Sequence, residues 1–306
     1  MFNIFYKEEG DKDLSSIDDF KSGSWISLIE PDEKEVDRAV AMLKVEKSLL
    51  IDSLDQYEMP RLEIEDGAMY IYVRVPEKTG GDIITFPLLI VIGDDFVLTV
   101  SSRKTNLFNN FISGRTACRP SERAEFILKL FLALNDKYHF FMIDINRRLR
   151  SIKLRLKKIG VKDIMQFVDF EQVLNDFLSS LVPLDSVFKK ILGGRHIALK
   201  EEEQDLAEDV VLGNSQLIEL SKSYLRYAVN IKDTHSNIAT HELNRVIKVL
   251  TVMTILMTLP NMVFSFFGMN VPLAFAGNEH SFIIILFVTF SFIGLISLLI
   301  IKKRWL

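Results

Sequence analysis

Residues 265–282 read SFFGMNVPLAFAGNEHSF. The stretch joins two long apolar runs near the C-terminal end, and its middle, 268–280, is short and contains neither Lys nor Arg. Residues 249–267 hold 19 positions without a charge, and 281–301 hold 21. As helices each run is roughly 30 Å long, enough to cross the hydrocarbon core of a bilayer. The sequence therefore predicts two C-terminal transmembrane helices, about 246–267 and 281–301, joined by an external loop at 268–280.

Basic residues orient them. Lys232, Arg245 and Lys248 precede the first span; Lys302, Lys303 and Arg304 follow the second. By the positive-inside rule both termini are expected on the cytoplasmic side of the cell (inner) membrane, with Trp305 as an interfacial anchor. The start, MFNIFYKEEG, lacks the basic-then-apolar order of a signal peptide. The single cysteine, Cys118, fits a reducing compartment. The chain of 306 residues is 48% hydrophobic and 25% charged, yet 249–301 contains only one charge, Glu279. A net charge of −4 gives no case for nucleic acid.

The expected fold class is α+β: an N-terminal cytosolic α/β domain (1–120), a long helical stalk (121–245) and the membrane domain (246–306), assembled as an oligomeric funnel. Strand-like runs are Phe2–Tyr6, Trp25–Leu28, Met69–Val75, Thr85–Ile92 and Phe96–Val100, with GDD at 93–95 as a hairpin turn. PDEKEV at 31–36 reads as a helix start. Long helical patterns begin near Ser121, break at GVKD (160–163) and again at Gly193–Gly194. From about Ala198 one helix of roughly 100 Å is expected to run through the first span. It carries a seam, Leu206, Val210, Leu217, Leu220, Tyr224, Tyr227 and Ile231, with Gly213 in the missing step. That seam suits packing either on the chain's own helices or around an oligomer axis. The basic run NRRLRSIKLRLKK (146–158) is expected to pair with EEEQDLAED (201–209) or to sit near anionic lipid heads.

In the first span Asn244, Thr251, Thr254, Thr258, Asn261 and Ser265 are spaced 7, 3, 4, 3 and 4 apart, with Ile247 in the gap, so they share one helix face. Each Thr can satisfy itself on the carbonyl four residues back; six polar residues in register point to a wet surface. Two helices cannot enclose water, so several copies are expected around an axial pore, the first span inside and the Phe- and Ile-rich second span facing lipid. Neutral oxygens hold a cation through its water shell without trapping it, and Mg²⁺ gives up water reluctantly. No phosphate-binding GxxxxGK[ST] loop occurs, and the five histidines show no metal-ligand spacing. An enzyme and an organic cofactor are not expected. Pro260 is expected to bend the helix or free a carbonyl beside the stripe.

Gly268-Met269-Asn270 after the first of two terminal spans, with NRVIKVLT (244–251), KKRWL (302–306) and MPRLEIEDGAMYIYVRVP (59–76), resembles the CorA family of divalent metal ion transporters. The resemblance implies a homopentameric, channel-like Mg²⁺ transporter that often passes Co²⁺ and Ni²⁺. It implies that Gly268, Met269 and Asn270 form the outer selectivity filter, with Asn270 oxygens and Gly268 carbonyls ringing a hydrated cation. Asn244 would lie at the cytosolic mouth, Ile247 and Leu250 at a hydrophobic constriction, and Thr258 and Asn261 along the pore. Mg²⁺ between cytosolic domains would hold the pore closed through Asp209, with Asp205 one turn away and Asp82 as a partner; the alternative is that 201–209 is a solvated acidic face. A Zn²⁺ transporter of the ZntB type and a non-conducting membrane-anchored metal sensor are the competing readings.

Overall fold

Between residues 1 and 101 short β-branched and aromatic runs alternate with turn residues, and they become strands of one mixed sheet. In the computed structural model, which describes residues 1–8, 13–154, 160–191, 199–271 and 280–302, these are β1 (Phe2–Tyr6), β2 (Ser15–Ile17), β3 (Ser24–Ile29), β4 (Arg61–Glu65), β5 (Ala68–Thr79), β6 (Asp82–Ile92) and β7 (Phe96–Ser101). The order is β2-β1-β3-β7-β6-β5-β4. Among the described strands only β3 and β7 pair in parallel, from Ser24↔Phe96 to Ile29↔Ser101. The helices are α1 (Glu33–Leu43), α2 (Lys47–Asp52), α3 (Asn109–Ile112), α4 (Arg123–Lys153), α5 (Val161–Lys190), α6 (Glu201–Phe267) and α7 (Ser281–Lys302). The sequence-predicted features at Gly193–Gly194, Glu279, His196 and the tail beyond Lys302, Trp305 included, lie outside the described residues.

Two compact units result, Met1–Ile231 and Lys232–Leu306. In the first, the alternating side chains of the sheet serve two cores. Tyr70, Tyr72, Leu89, Val91, Leu98 and Val100 pack with Val36, Ala39, Leu43 and Leu50 of α1 and α2. Ile71, Val73, Val75, Leu88, Ile90 and Val97 pack with the α4, α5 and α6 side chains. Sheets buried on both faces read as nearly continuous apolar runs, as LLIVI at 88–92 does. Trp25 anchors the second core: its Nε1 donates to Thr99 Oγ1 at 3.0 Å, and the rings of Phe5, Phe108 and Phe126 lie 4.9–5.4 Å away.

Local chemistry sets the boundaries. Asp32 caps α1 by accepting from Glu35 N–H at 2.8 Å, and Glu35 returns to the Asp32 N–H at 3.2 Å, a reciprocal capping box. Gly80 (φ 63°) and Gly81 (φ 110°) turn β5 into β6; both need the left-handed region that only Gly enters freely. GVKD is a helix start as well as a break: the Asp163 carboxylate accepts from the Gly160 N–H at 3.0 Å, one residue before α5. The strands β2 and β4 and the short helices α2 and α3 are additions to the sequence expectation. β5 and β6 also extend beyond it into the hairpin.

The α6 seam packs on the chain's own helices. Val210, Leu217 and Ile231 are buried, and Leu206, Leu220, Tyr224 and Tyr227 pack partly buried in the same core. Asn135 of α4 donates Nδ2–H to the Val210 carbonyl at 3.0 Å, and Asn146 donates to Tyr224 Oη at 3.2 Å, so α4 and α6 run parallel. The basic end of α4 therefore lies beside 224–231, and pairing with 201–209 of the same chain is not what the fold provides. The seam needs glycine at 213 because a Cβ there would sit 2.9 Å from Asn135 Nδ2. Gly213→Leu is expected to push Asn135 off its carbonyl and overpack the helices. The expected loss is about 1–3 kcal/mol, read as a lower melting temperature of the first unit.

Candidate conduction path

Among the described residues two helices, α6 with its apolar C-terminal segment and α7, are long and apolar enough to cross a membrane. Only 6% of either apolar window is buried within the chain. That surface is therefore left for lipid or further copies of the protein. At about 100° per residue, the face of α6 centred on Val252, Leu259 and Val263 lies roughly opposite the face centred on Thr254, Thr258 and Ser265. The structure uses the first face intramolecularly. Val252 is buried. Leu259, Val263 and Phe267 line a cavity of about 660 Å³ with Ile285, Val288, Thr289 and Ile293 of α7.

The second face is left open. Asn244, Thr251, Thr254, Thr258, Asn261 and Ser265 are all exposed, as are Ile247 and Leu250. The three threonines share one arrangement. Thr251 Oγ1 donates to the Ile247 carbonyl at 2.8 Å, Thr254 Oγ1 to Leu250 at 2.9 Å, and Thr258 Oγ1 to Thr254 at 2.7 Å. Each hydroxyl spends its only hydrogen inside the helix. What remains directed outward is lone pairs, so these hydroxyls act toward their surroundings as acceptors. Self-satisfaction and a wet face, alternatives in the sequence, are compatible in the structure.

α6 continues through Pro260. The missing N–H leaves the Leu256 carbonyl without its helical donor. By the same 100° spacing Leu256 falls on the Val252–Val263 side of the helix; the sequence left open a bend or a freed carbonyl beside the stripe. The helix ends at Phe267, and Gly268 N–H closes its last turn on the Phe264 carbonyl at 2.9 Å. A Cβ on residue 268 would approach that carbonyl to 3.2 Å, so glycine lets the chain turn tightly there. Met269 and Asn270 follow, both exposed. On α7, Thr289 is buried against α6 with its hydroxyl on the Ile285 carbonyl, a placement that its apolar neighbours in sequence did not signal.

The three acidic positions are in the first unit. Asp205 and Asp209 lie exposed on α6, and Asp82 opens β6 at the hairpin. In the acidic run, Glu203 is the exception: it is buried and accepts from the Lys200 N–H at 2.7 Å, which caps α6. At the root of the hairpin Glu77 accepts from Lys137 Nζ at 2.6 Å, and Thr105 accepts from the same ammonium at 3.0 Å. Burial pushes the Lys137 pKa down, against the pull of Glu77. Among the described residues no group of three or more His, Cys, Asp or Glu side chains is placed to hold a metal within one chain.

Comparison with known proteins agrees in fold and extent. A family model described as CorA-like Mg2+ transporter protein matches residues 20–303. The cobalt/magnesium transport protein CorA of Methanocaldococcus jannaschii is 23% identical over 291 residues, covering 92% of this chain and 91% of that protein. The complete structure of the CorA magnesium transporter from M. jannaschii superposes with a TM-score of 0.88 at 18% identity, covering 100% of this chain and 99% of the other. The cytoplasmic domain of ZntB from Vibrio parahaemolyticus superposes at 0.64 with 8% identity, covering 78% of this chain and 98% of that one. At that identity the ZntB likeness speaks to fold alone.

Proposed function

Because the chain belongs to the CorA-like Mg²⁺ transporter family, a family of divalent-cation transporters, we propose that it conducts hydrated Mg²⁺ through an axial pore lined by the exposed face of α6. Co²⁺ and Ni²⁺ are further candidate cargo. The observation that carries the reading is the row of acceptor-only hydroxyls on the face turned away from α7. A hydrated cation presents water hydrogens outward. Thr251, Thr254 and Thr258 offer lone pairs to those hydrogens, while a carboxylate would strip or trap the ion. An anion, whose shell presents oxygens, finds no donor in these three hydroxyls.

The pore requires several copies, since one α6 face encloses nothing. A homopentamer is the assembly we propose, with α7 on the lipid side and α6 on the axis. Gly268, Met269 and Asn270 form the outer filter. Asn261, Ser265 and the threonines line the path, Ile247 and Leu250 close it by dewetting, and Asn244 lies at the cytosolic mouth. Flow follows the gradient and the membrane potential, which contributes about 4.6 kcal/mol per 100 mV for a divalent ion. Asp209, with Asp205 and Asp82, holds the regulatory Mg²⁺ that joins neighbouring copies.

The deciding experiment is Mg²⁺ flux into proteoliposomes holding the purified protein, repeated with Zn²⁺. Mg²⁺ flux exceeding Zn²⁺ flux supports the proposal, and the reverse order supports a Zn²⁺ transporter. No flux of any divalent ion at low or high internal Mg²⁺ means a sensor. The acceptor row has its own test. Thr254→Val keeps the shape and removes the lone pairs, and is expected to lower Mg²⁺ flux about three- to tenfold, about 0.7–1.4 kcal/mol for the ring of copies as a whole. Thr254→Ser should restore most of it.

A further inference from the structure

The conduction path leaves one buried charge unused. The Lys137 side chain of α4 is 9% exposed. Its ammonium is held by oxygen: Glu77 Oε2 accepts from it at 2.6 Å and Thr105 Oγ1 at 3.0 Å, and Asn106 Oδ1 is the third acceptor. An ammonium carries three donors, so all three are used. The acceptors come from distant stretches, Glu77 from β5, and Thr105 and Asn106 from the connection between β7 and α3. That connection is fixed in turn. Asn106 N–H donates to Glu77 Oε2 at 3.4 Å, Leu107 N–H donates to Thr105 Oγ1 at 3.2 Å, and Leu107 and Phe108 enter the core.

Beyond Glu77 the chain needs such a hold. β4 pairs with β5 only as far as Tyr72, and β7 with β6 only from Leu88. Residues 73–79 and 82–87 therefore form a two-stranded ribbon, which is marginal without packing or a tether. Its tip is exposed from Lys78 to Asp82, and Asp82 pairs with Thr79, two rungs from the clamped Glu77. Among the described residues the Lys137–Glu77 bond is the side-chain hydrogen bond nearest that tip. α4 also reaches α6 at this level, where Asn135 holds the Val210 carbonyl next to Asp209. Two residues turn a helix by about 200°, so Asn135 and Lys137 leave α4 on nearly opposite sides. The Asp82 hairpin and the Asp209 segment are thus fixed to one stretch of α4 from opposite sides.

We propose that Lys137 is a positioning residue for the regulatory cation: its ammonium is a built-in cation that holds the hairpin so that Asp82 is presented ready for the ion. A ligand on an ordered ribbon meets the ion without first paying to be ordered, so affinity is gained with no contact from Lys137 to the ion. Placement on opposite sides of α4 suits an ion that joins Asp82 of one copy to Asp209 of the next. The proposal rests on the reading that Asp82 and Asp209 hold regulatory Mg²⁺, and deepens it.

The test uses the full chain. Lys137→Met alone strands the Glu77 carboxylate in a buried place, so it is measured beside Glu77→Gln/Lys137→Met, which removes both charges. A spin label on Lys78→Cys, in a Cys118→Ser background, reads the hairpin from the face opposite Glu77. In the double variant wild-type elution, a more mobile label and unchanged Mg²⁺ flux at low internal Mg²⁺ are expected. The Mg²⁺ midpoint, read both as shutdown of flux and as protection of the chain from limited proteolysis, is expected to rise about three- to tenfold. A mobile label with an unmoved midpoint overturns the proposal, as does a label as immobile as in the wild type. Lower flux at low internal Mg²⁺ overturns it too, because the damage is then general. Asp82→Asn separates the two readings. If it raises the midpoint and the double variant does not, only the role of Lys137 falls; if it leaves the midpoint in place, Asp82 is no ligand and both fall.

Discussion

Asn270→Ala is expected to abolish most Mg²⁺ flux, on the order of hundredfold in proteoliposomes, while the protein still elutes as wild type. Asn270 is exposed three residues beyond the end of α6, so among the described residues its side chain supports no packing whose loss would unfold the chain. In a symmetric assembly one substitution acts in every copy. Each amide oxygen that meets the water shell of the ion contributes on the order of 1 kcal/mol, and a ring of them together reaches several. Every 1.4 kcal/mol is tenfold in binding. Asn270→Asp separates two explanations. If the oxygens merely attract cations, the carboxylate should keep or raise flux; if the neutral amide is needed for release, the ion is held and flux falls in this variant as well. Wild-type flux in Asn270→Ala would remove the filter from this loop.

Asp209→Asn is expected to leave uptake running at an internal Mg²⁺ concentration that shuts the wild type. Asp209 and Asp205 are exposed one helical turn apart on α6, and within one chain no further ligands complete a metal group among the described residues. A regulatory ion would therefore draw its ligands from neighbouring copies, whose carboxylates repel one another until a cation bridges them. Asn keeps the shape and removes the charge that makes the bridge necessary. Asp209→Lys, which repels the ion outright, should behave alike. Preloading vesicles with Mg²⁺ and following uptake over a concentration series reads the effect as a rightward shift of the shutdown midpoint by tenfold or more, or about 1.4 kcal/mol of lost binding. Normal shutdown in both variants would leave Asp209 as part of a solvated acidic face and return the regulation to other residues.

Membrane segments were legible because their signal is local: length without charge needs no partner to be recognised. The polar stripe was legible for the same reason, since residues at spacings of 3 and 4 share a helix face wherever that helix packs. The outcome for the seam was not. Leu206 to Ile231 repeats at spacings that fit an oligomer axis as well as neighbouring helices. Only the positions of Asn135 and Asn146 beside Val210 and Tyr224 identify its partner as the chain's own α4.

Strand content was read best where apolar alternation ran long, and missed where it was short or charged. β2 has three residues, and β4, RLEIE, has three charges in five. Both lie at the sheet edges, where one side needs no partner and polar residues are tolerated. The parallel pairing of β3 with β7 joins residues about seventy positions apart in sequence, beyond the reach of any local pattern. The basic run at the end of α4 was visible as charge, but whether it met the acidic run of α6 depended on helix direction.

The sequence by itself determined the two apolar spans, the polar face of the first and the glycine-led turn that follows it, because periodicity and composition act within a few residues. The tertiary structure decided which face of α6 is taken by α7 and which stays open, and that the seam is internal. It also decided where the hydroxyl hydrogens of Thr251, Thr254 and Thr258 go. Those outcomes depend on which surfaces compete for the same contact and on the direction of each donor, quantities that exist only once distant segments have been brought together.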